Sequence, residues 1–236
     1  MKIKATVVIP TYNEEKFIER CLKSLCSQTV SRSEYEIIVV DGYSTDKTRE
    51  IAARYADKVI YQVSKGVGGA RNDGAKEAKG EILVFTDADV IFPRDWLEKI
   101  LSYFEKANDV IAVCGPDEPL ERSGKLVTFY KLVNSFSKLL HRMGIVGTRG
   151  TNTAVRRDVF FKIGGYTDYP LCDDVELGLR LRKLGKVVYS DEVKVLMSAR
   201  RFNKYGILRV LKEWVKGDIM LLLGKRTVGS YARQSY

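Results

Sequence analysis

The sequence predicts an α/β protein built on a mainly parallel sheet flanked by helices, with a smaller, elaborated C-terminal half. Two observations carry this. Short β-rich runs recur at Ala5 to Ile9, Glu36 to Val40, Val59 to Val63, Ile82 to Phe85 and Val110 to Cys114, and the segments between the first four repeat apolar residues at helical spacing. Strands that alternate with helices in this way form βαβ units, whose strands lie parallel. A chain of 236 residues, 45% hydrophobic and 30% charged, buries a sizeable core and falls in the globular class. It contains no repeat or low-complexity tract to mark a linker, so residues 1–236 are expected to form one domain.

The elements follow in order. The first helix carries Phe17, Ile18, Cys21, Leu22 and Leu25 on one face, with Asn13 as its expected N-cap. A second follows Ser44 and Thr45, either of which is expected to cap it, and packs through Ile51, Ala52 and Tyr55. Trp96 to Phe104 supplies a third. After Cys114, Pro116, Pro119 and Gly124 mark a loop, and a helical stripe then runs from Leu126 to Met143. Thr151 to Val155 reads as a strand, Asp173 to Leu184 as a helix, and Val187 to Tyr189 and Val193 to Met197 as strands. Asn203 to Leu223 reads as one amphipathic helix, with Ile207, Leu208, Leu211, Trp214, Val215 and Ile219 on its apolar side.

Composition narrows the partners. The net charge of +10 favours an anionic partner: a nucleic acid, a membrane surface or a phosphorylated ligand. Ala5 to Ile9 is too short for a signal-peptide core, and no run approaches the ~20 apolar residues of a membrane span, so a cytoplasmic location is expected. Cys21, Cys26, Cys114 and Cys172 lack paired CxxC spacing and read as reduced packing residues, with no zinc site.

In an open parallel sheet, ligands bind beyond the carboxyl ends of the strands. Four polar clusters fall there: Pro10-Thr-Tyr-Asn-Glu14, Asp41-Gly-Tyr-Ser-Thr-Asp46, Gly66-Val-Gly-Gly-Ala-Arg-Asn72 and Asp87-Ala-Asp89. The glycine stretch is not a dinucleotide fingerprint, because it follows the third strand and places Arg71 where the last glycine belongs. Gly68 and Gly69 are instead expected to let a helix N-terminus approach an anion or base, with Arg71 adding a planar donor fork. Asp87 and Asp89, one residue apart, suit a hard cation that bridges them to phosphate oxygens. Asp173, Asp174 and Glu176 open a helix, where carboxylates stabilise the dipole whether or not one serves as a general base.

The ordered set Val7-Val-Ile-Pro-Thr-Tyr-Asn-Glu14, Val39-Val-Asp-Gly-Tyr-Ser-Thr-Asp46, Gly69-Ala-Arg-Asn-Asp-Gly74, Phe85-Thr-Asp-Ala-Asp89, Gly164-Gly-Tyr166 and Asp173-Asp174 with Leu179-Arg-Leu-Arg182 resembles family 2 glycosyltransferases of GT-A fold, from residue 6 to about 202. The resemblance implies a Rossmann-like nucleotide-binding half over about 1–115 and an acceptor half over about 116–236. It implies an inverting transfer of a sugar from a nucleotide-diphosphate donor to an acceptor hydroxyl or lipid phosphate. Pro10, Thr11, Tyr12, Glu14, Asp41 and Arg71 match the family's nucleotide pocket. Asp87 and Asp89 match its metal-diphosphate motif, with Mg²⁺ or Mn²⁺ as cofactor, and Asp87 is also expected to face the donor. Asp174 matches the base that takes the acceptor proton, and Asp173 is the fallback.

The chain departs from the family pattern at Gly42, where many relatives carry a second Asp that helps recognise the base, so the base preference is open. No third metal contact is identifiable, because Val90 and Ile91 follow Asp89. Arg200 and Arg201 are expected to contact the diphosphate, since guanidinium matches phosphate geometry. His141, the only histidine, is expected at the surface. The two amphipathic helices suggest peripheral attachment to the cytoplasmic membrane face and a lipid-linked acceptor. A nucleotide-sugar-binding protein without turnover is the alternative; a nucleic-acid module is disfavoured, because the acidic clusters repel a phosphate backbone.

Overall fold

The computed structural model describes residues 2–121, 123–144, 148–169 and 171–223. In chain order, β1 (Ala5–Thr11), α1 (Ile18–Cys26), β2 (Tyr35–Asp41), α2 (Thr48–Ala52), β3 (Lys58–Tyr61), α3 (Gly66–Glu77) and β4 (Ile82–Phe85) form the expected βαβ succession. Then come β5 (Val90–Ile91), α4 (Trp96–Lys106), β6 (Val110–Cys114), β7 (Asp117–Pro119), α5 (Gly124–Arg142), β8 (Thr153–Arg156) and α6 (Arg157–Lys162). The last elements are α7 (Asp173–Leu181), β9 (Lys186–Tyr189), β10 (Val195–Met197), α8 (Arg200–Tyr205) and α9 (Ile207–Leu222).

Seven strands form one sheet in the order β3-β2-β1-β4-β8-β6-β9, and a small sheet runs β5-β10-β7. The β3-β2-β1-β4 block is parallel, and β8 pairs antiparallel with both β4 and β6. Because β8 comes from the second half of the chain, one sheet is shared by both halves. Side chains on a strand alternate faces. Val7, Ile9, Ile37 and Val39 therefore join α1 and α4 in one core, while Val8, Ile38 and Val40 join α3, α6 and α7 in the other. Coverage on both faces explains why these strands read as unbroken apolar runs rather than alternating ones.

Several local expectations are corrected. Asn13 does not cap α1; it lies at φ 54°, and its Oδ1 accepts from the Thr45 N–H at 2.8 Å. Neither Ser44 nor Thr45 caps α2, because Asp46 Oδ1 accepts from the Thr48 N–H at 2.9 Å while Ser44 is engaged by Asp41. The expected third strand ends at Tyr61, leaving Val63 exposed. The expected C-terminal helix is broken at Gly206, whose φ of 79° suits glycine, and α8 begins earlier, at Arg200. Its apolar residues do not share one face: Val210 is buried near Phe202, whereas Leu208, Val215 and Ile219 are exposed. His141 is half-buried against Tyr189, ring centroids 6.0 Å apart, and burial with Arg182 nearby lowers its pKa. Among the cysteines, Cys21, Cys114 and Cys172 are buried and Cys26 is exposed, all as free thiols.

Candidate active site

The carboxyl ends of β1, β2 and β4 form the rim of the site, and the loops that leave them are tied to one another. Asn13 N–H donates to Ser44 Oγ at 2.9 Å and Glu14 N–H to Thr48 Oγ1 at 2.7 Å, so the first loop is fixed on the second. Asp41 is fully buried at the end of β2; it accepts from Ser44 N–H at 3.0 Å, Ser44 Oγ at 2.5 Å and Thr11 Oγ1 at 3.4 Å, with Arg49 at 3.8 Å. Pro10 and Tyr12 are half-buried on the same rim. Tyr43 stacks on Tyr61 at 5.0 Å, and the Arg49 guanidinium lies 3.7 Å over the Tyr61 ring.

At the end of β4, Asp87 is partly exposed and Asp89 buried. Arg71, carried into the interior by α3, links the separate clusters. It donates to Asp87 Oδ1 at 2.9 Å, to Asp173 Oδ2 at 3.3 Å and to the Gly150 carbonyl at 3.1 Å, and its guanidinium lies 5.3 Å from the Tyr166 ring centre. A buried guanidinium needs such partners, since an isolated buried charge costs several kcal/mol. Arg71 Nε and the Tyr166 hydroxyl are buried without a hydrogen-bond partner among the described residues, which leaves polar capacity at this junction.

The acidic pair on α7 divides into two environments. Asp173 is buried, and burial pushes its carboxyl up to about 6 against the opposing pull of Arg71, with Asp174 adding to the rise. Asp174 is half-buried; it accepts from the Gly150 N–H at 2.8 Å and the Val175 N–H at 2.9 Å, and its own carbonyl accepts from Thr148 Oγ1 at 2.5 Å. Burial raises its pKa, while the Gly150 N–H and Arg71 oppose that rise.

Asp89 forms an ion pair with Arg200, Oδ2 to Nε 2.9 Å, and Arg200 also grips Glu14 in a bidentate pair at 2.7 and 2.6 Å. Burial pushes Asp89 up to about 7 in spite of Arg200, with Asp87 and Glu14 adding to the rise. Arg201 donates instead to Glu213 of α9 at 3.3 Å.

Among the described residues no group of three or more His, Cys, Asp or Glu side chains forms a protein-only metal cage. Asp87 and Asp89 nevertheless suit a hard divalent cation completed by ligand oxygens and water. Asp87 raises the proton affinity of Glu14 and, together with Glu14, that of Asp89, and Asp173 and Asp174 add two more carboxylates against the two guanidiniums of Arg71 and Arg200. The excess negative charge is what a dication offsets.

Gly68 and Gly69 lie in the first turn of α3, close against neighbouring segments of the chain. A Cβ at Gly68 would stand 2.8 Å from Asp173 Oδ2, and one at Gly69 2.8 Å from the Ser64 backbone, so both glycines admit this chain's own atoms. Gly150 was missed from the sequence. Both its N–H and its carbonyl serve the site, and a Cβ there would meet Arg71 Nη2 at 2.6 Å. The polar run Thr148-Arg-Gly-Thr151 ahead of the expected strand was its only signal.

Residues 6–164 match the model for glycosyl transferase family 2. Over 118 residues the chain is 36% identical to the poly(ribitol-phosphate) beta-N-acetylglucosaminyltransferase TarS of Staphylococcus aureus, covering 47% of this chain and 21% of that protein. It is 29% identical to the O-antigen chain rhamnosyltransferase WbaN of Salmonella anatum, covering 90% of this chain and 74% of that protein. Of two curated relatives, TarS and the probable glycosyltransferase YdaM of Bacillus subtilis, the matched region spans only 21% and 47% of the length. The fold resembles that of the mannosyltransferase PcManGT from Pyrobaculum calidifontis, solved with GDP-Man and Mn²⁺, at TM-score 0.72 and 21% identity, covering 99% of this chain and 67% of that one. The architecture is thus of GT-A type, and the chain belongs to glycosyltransferase family 2.

Proposed function

We propose that this chain transfers a sugar, with inversion, from a nucleotide-diphosphate donor to an acceptor hydroxyl or lipid phosphate. One observation carries the reading: the Arg71 guanidinium bonds Asp87 on one side and Asp173 on the other, so the motif suited to a diphosphate and the acidic pair meet at one side chain. The co-complexes of structural neighbours support the donor class, since PcManGT is solved with GDP-Man and TarS with UDP-GlcNAc.

In this reading Asp174, held by two backbone N–H groups and only half-buried, takes the proton of the acceptor nucleophile as it attacks the anomeric carbon. Asp173, pinned by Arg71 and buried, positions the pair rather than serving as the base. Pro10, Thr11, Tyr12 and Asp41 shape the nucleotide end, and Arg200, now on Glu14 and Asp89, is the cation at hand for a phosphate oxygen. A divalent cation held by Asp87 and Asp89, Mn²⁺ or Mg²⁺, would offset the charge that develops on the departing diphosphate. Arg201, bonded to Glu213, has the weaker case for phosphate contact.

A lipid-linked acceptor is the finer part of the reading. It is supported by exposed apolar residues on α5 (Leu132, Phe136, Leu139) and at its C-cap (Met143), and on α9 (Leu208, Val215, Ile219). No helix among the described residues is long and apolar enough to cross a membrane.

The testing experiment is nucleoside-diphosphate release from a panel of nucleotide sugars with Mn²⁺, Mg²⁺ or chelator, run on the parent and on Asp174→Asn. Metal-dependent release that the variant loses, with donor binding retained, is the expected result. Donor binding without turnover under every condition, including added acceptors, would favour a binding protein instead.

A further inference from the structure

Gln62 is the first residue beyond β3, and its backbone N–H donates to the Asp41 carbonyl at 2.8 Å, which fixes it beside the end of β2. Both protons of its side-chain amide are committed: Nε2 donates to the Ser64 carbonyl at 2.6 Å and to the Gly66 carbonyl at 2.8 Å. The amide therefore has no freedom to flip, and Oε1 is presented as an acceptor. Among the described residues Oε1 receives no hydrogen bond. It faces Gly42, where an added Cβ would stand 3.0 Å from Oε1, 3.3 Å from the Thr11 carbonyl and 3.7 Å from the Tyr12 Cβ. Gly42 itself is not at a positive φ, so its lack of a side chain answers a need for space and not for backbone freedom.

The groups that converge over Gly42 are acceptors. The Thr11 carbonyl takes one hydrogen bond, from the Gly42 N–H at 2.8 Å, and keeps a second lone pair. Tyr61, adjacent to Gln62, stacks on Tyr43 and carries the Arg49 guanidinium over its ring. Two acceptors side by side suit a ring edge that offers adjacent N–H groups, while the donor nearest them, the Arg49 guanidinium, lies over the Tyr61 ring with Nη1 3.8 Å from Asp41. Guanine offers N1–H and N2–H₂ side by side, whereas uracil flanks its single N3–H with two carbonyl oxygens that would face these acceptors. We infer that Gln62 reads the base of the donor nucleotide through Oε1, with Gly42 leaving room for it, and that the pair selects guanine over uracil. This rests on the donor-binding reading of the site and names the residues that discriminate within it.

The test measures Kd for GDP, UDP, ADP and CDP with Mn²⁺ by calorimetry on the full chain, for the parent, Gln62→Leu and Gly42→Ala. The parent is expected to bind GDP more tightly than UDP. Loss of one acceptor to a base N–H is expected to weaken GDP binding about tenfold in Gln62→Leu, with UDP nearly unchanged, so the GDP/UDP ratio collapses. Gly42→Ala, whose methyl crowds Oε1, is expected to shift the ratio in the same direction without removing the amide. A Gln62 that merely braces the Ser64 to Gly66 turn would weaken all four ligands alike and lower Tm, and that result overturns the inference. So does a parent that prefers UDP, or a ratio unmoved in both variants. Failure of every nucleoside diphosphate to bind the parent would instead remove the donor-site reading beneath it.

Discussion

Asp173 and Asp174 are neighbours in sequence and differ in surroundings: one is buried on Arg71, the other half-buried with backbone donors. Removing the carboxylate that takes the proton removes a general base, worth typically 10²–10⁴-fold in rate. Asp174→Asn is therefore expected to lower kcat by about that factor with donor affinity retained, and Asp173→Asn to weaken donor binding as well, because it releases Arg71. Steady-state kinetics beside calorimetric donor titration checks both; equal loss of donor affinity in the two variants would erase the distinction. Asp89 gives a second prediction. Its folded-state pKa of about 7 lies above the ordinary 3.8, so between those values the folded protein holds a proton that the unfolded chain has lost. Stability from this group therefore falls as pH rises through that window. In metal-free protein, Tm of Asp89→Asn minus Tm of the parent should grow more positive from about pH 5 to about pH 7.5. A flat difference would mean that Arg200 keeps Asp89 ionised throughout.

At the scale of elements, the strands were legible because burial on both faces leaves unbroken apolar runs, as in Val7-Val-Ile9 and Ile37-Ile-Val-Val40. Helix starts were less so. A capping residue is recognised by type, yet Asn13, Ser44 and Thr45 are drawn away by hydrogen bonds between loops that only the folded chain brings together. The break at Gly206 was hidden because an apolar stripe can run through a glycine without losing its period. Of the candidate site, the residues at strand ends were readable from position, whereas Gly150 gave no local sign of serving both Arg71 and Asp174. Gly74 shows what such close approaches require. A Cβ there would stand 2.4 Å from Val8 Cγ1 and 2.9 Å from Val40 Cγ2, so α3 sits against the sheet only because the side chain is absent. Gly74→Ala is expected to destabilise by about 1–3 kcal/mol through overpacking. Denaturant melts with an unchanged m-value would show it, and a variant as stable as the parent would show that α3 can shift at no cost.

For the whole molecule, acidic and basic charge are distributed in opposition. Carboxylates gather at the carboxyl rim of the sheet, while the chain as a whole carries +10. Basic residues are thus in excess elsewhere, and on α9 Arg209, Lys212 and Lys216 are exposed beside Leu208, Val215 and Ile219. Such a helix, apolar and cationic on the same outward surface, suits the interface of an anionic bilayer, where buried apolar area and attraction to lipid headgroups add. Along α5 and its C-cap, Leu132, Phe136, Leu139 and Met143 lie at offsets of four, three and four residues, the spacing of a single outward stripe. Vesicles rich in anionic lipid are therefore expected to co-sediment the protein at low salt and to release part of it as ionic strength rises, because screening removes the electrostatic share and leaves the apolar one. Phe136→Glu is expected to cut the salt-resistant fraction, and Lys212→Glu with Lys216→Glu the salt-sensitive one. All three positions are exposed, so Tm should hold in each variant. If neutral vesicles bind the protein as well as anionic ones, the basic face has no part in attachment; if neither binds it, the stripes face something other than lipid and the acceptor need not be membrane-anchored.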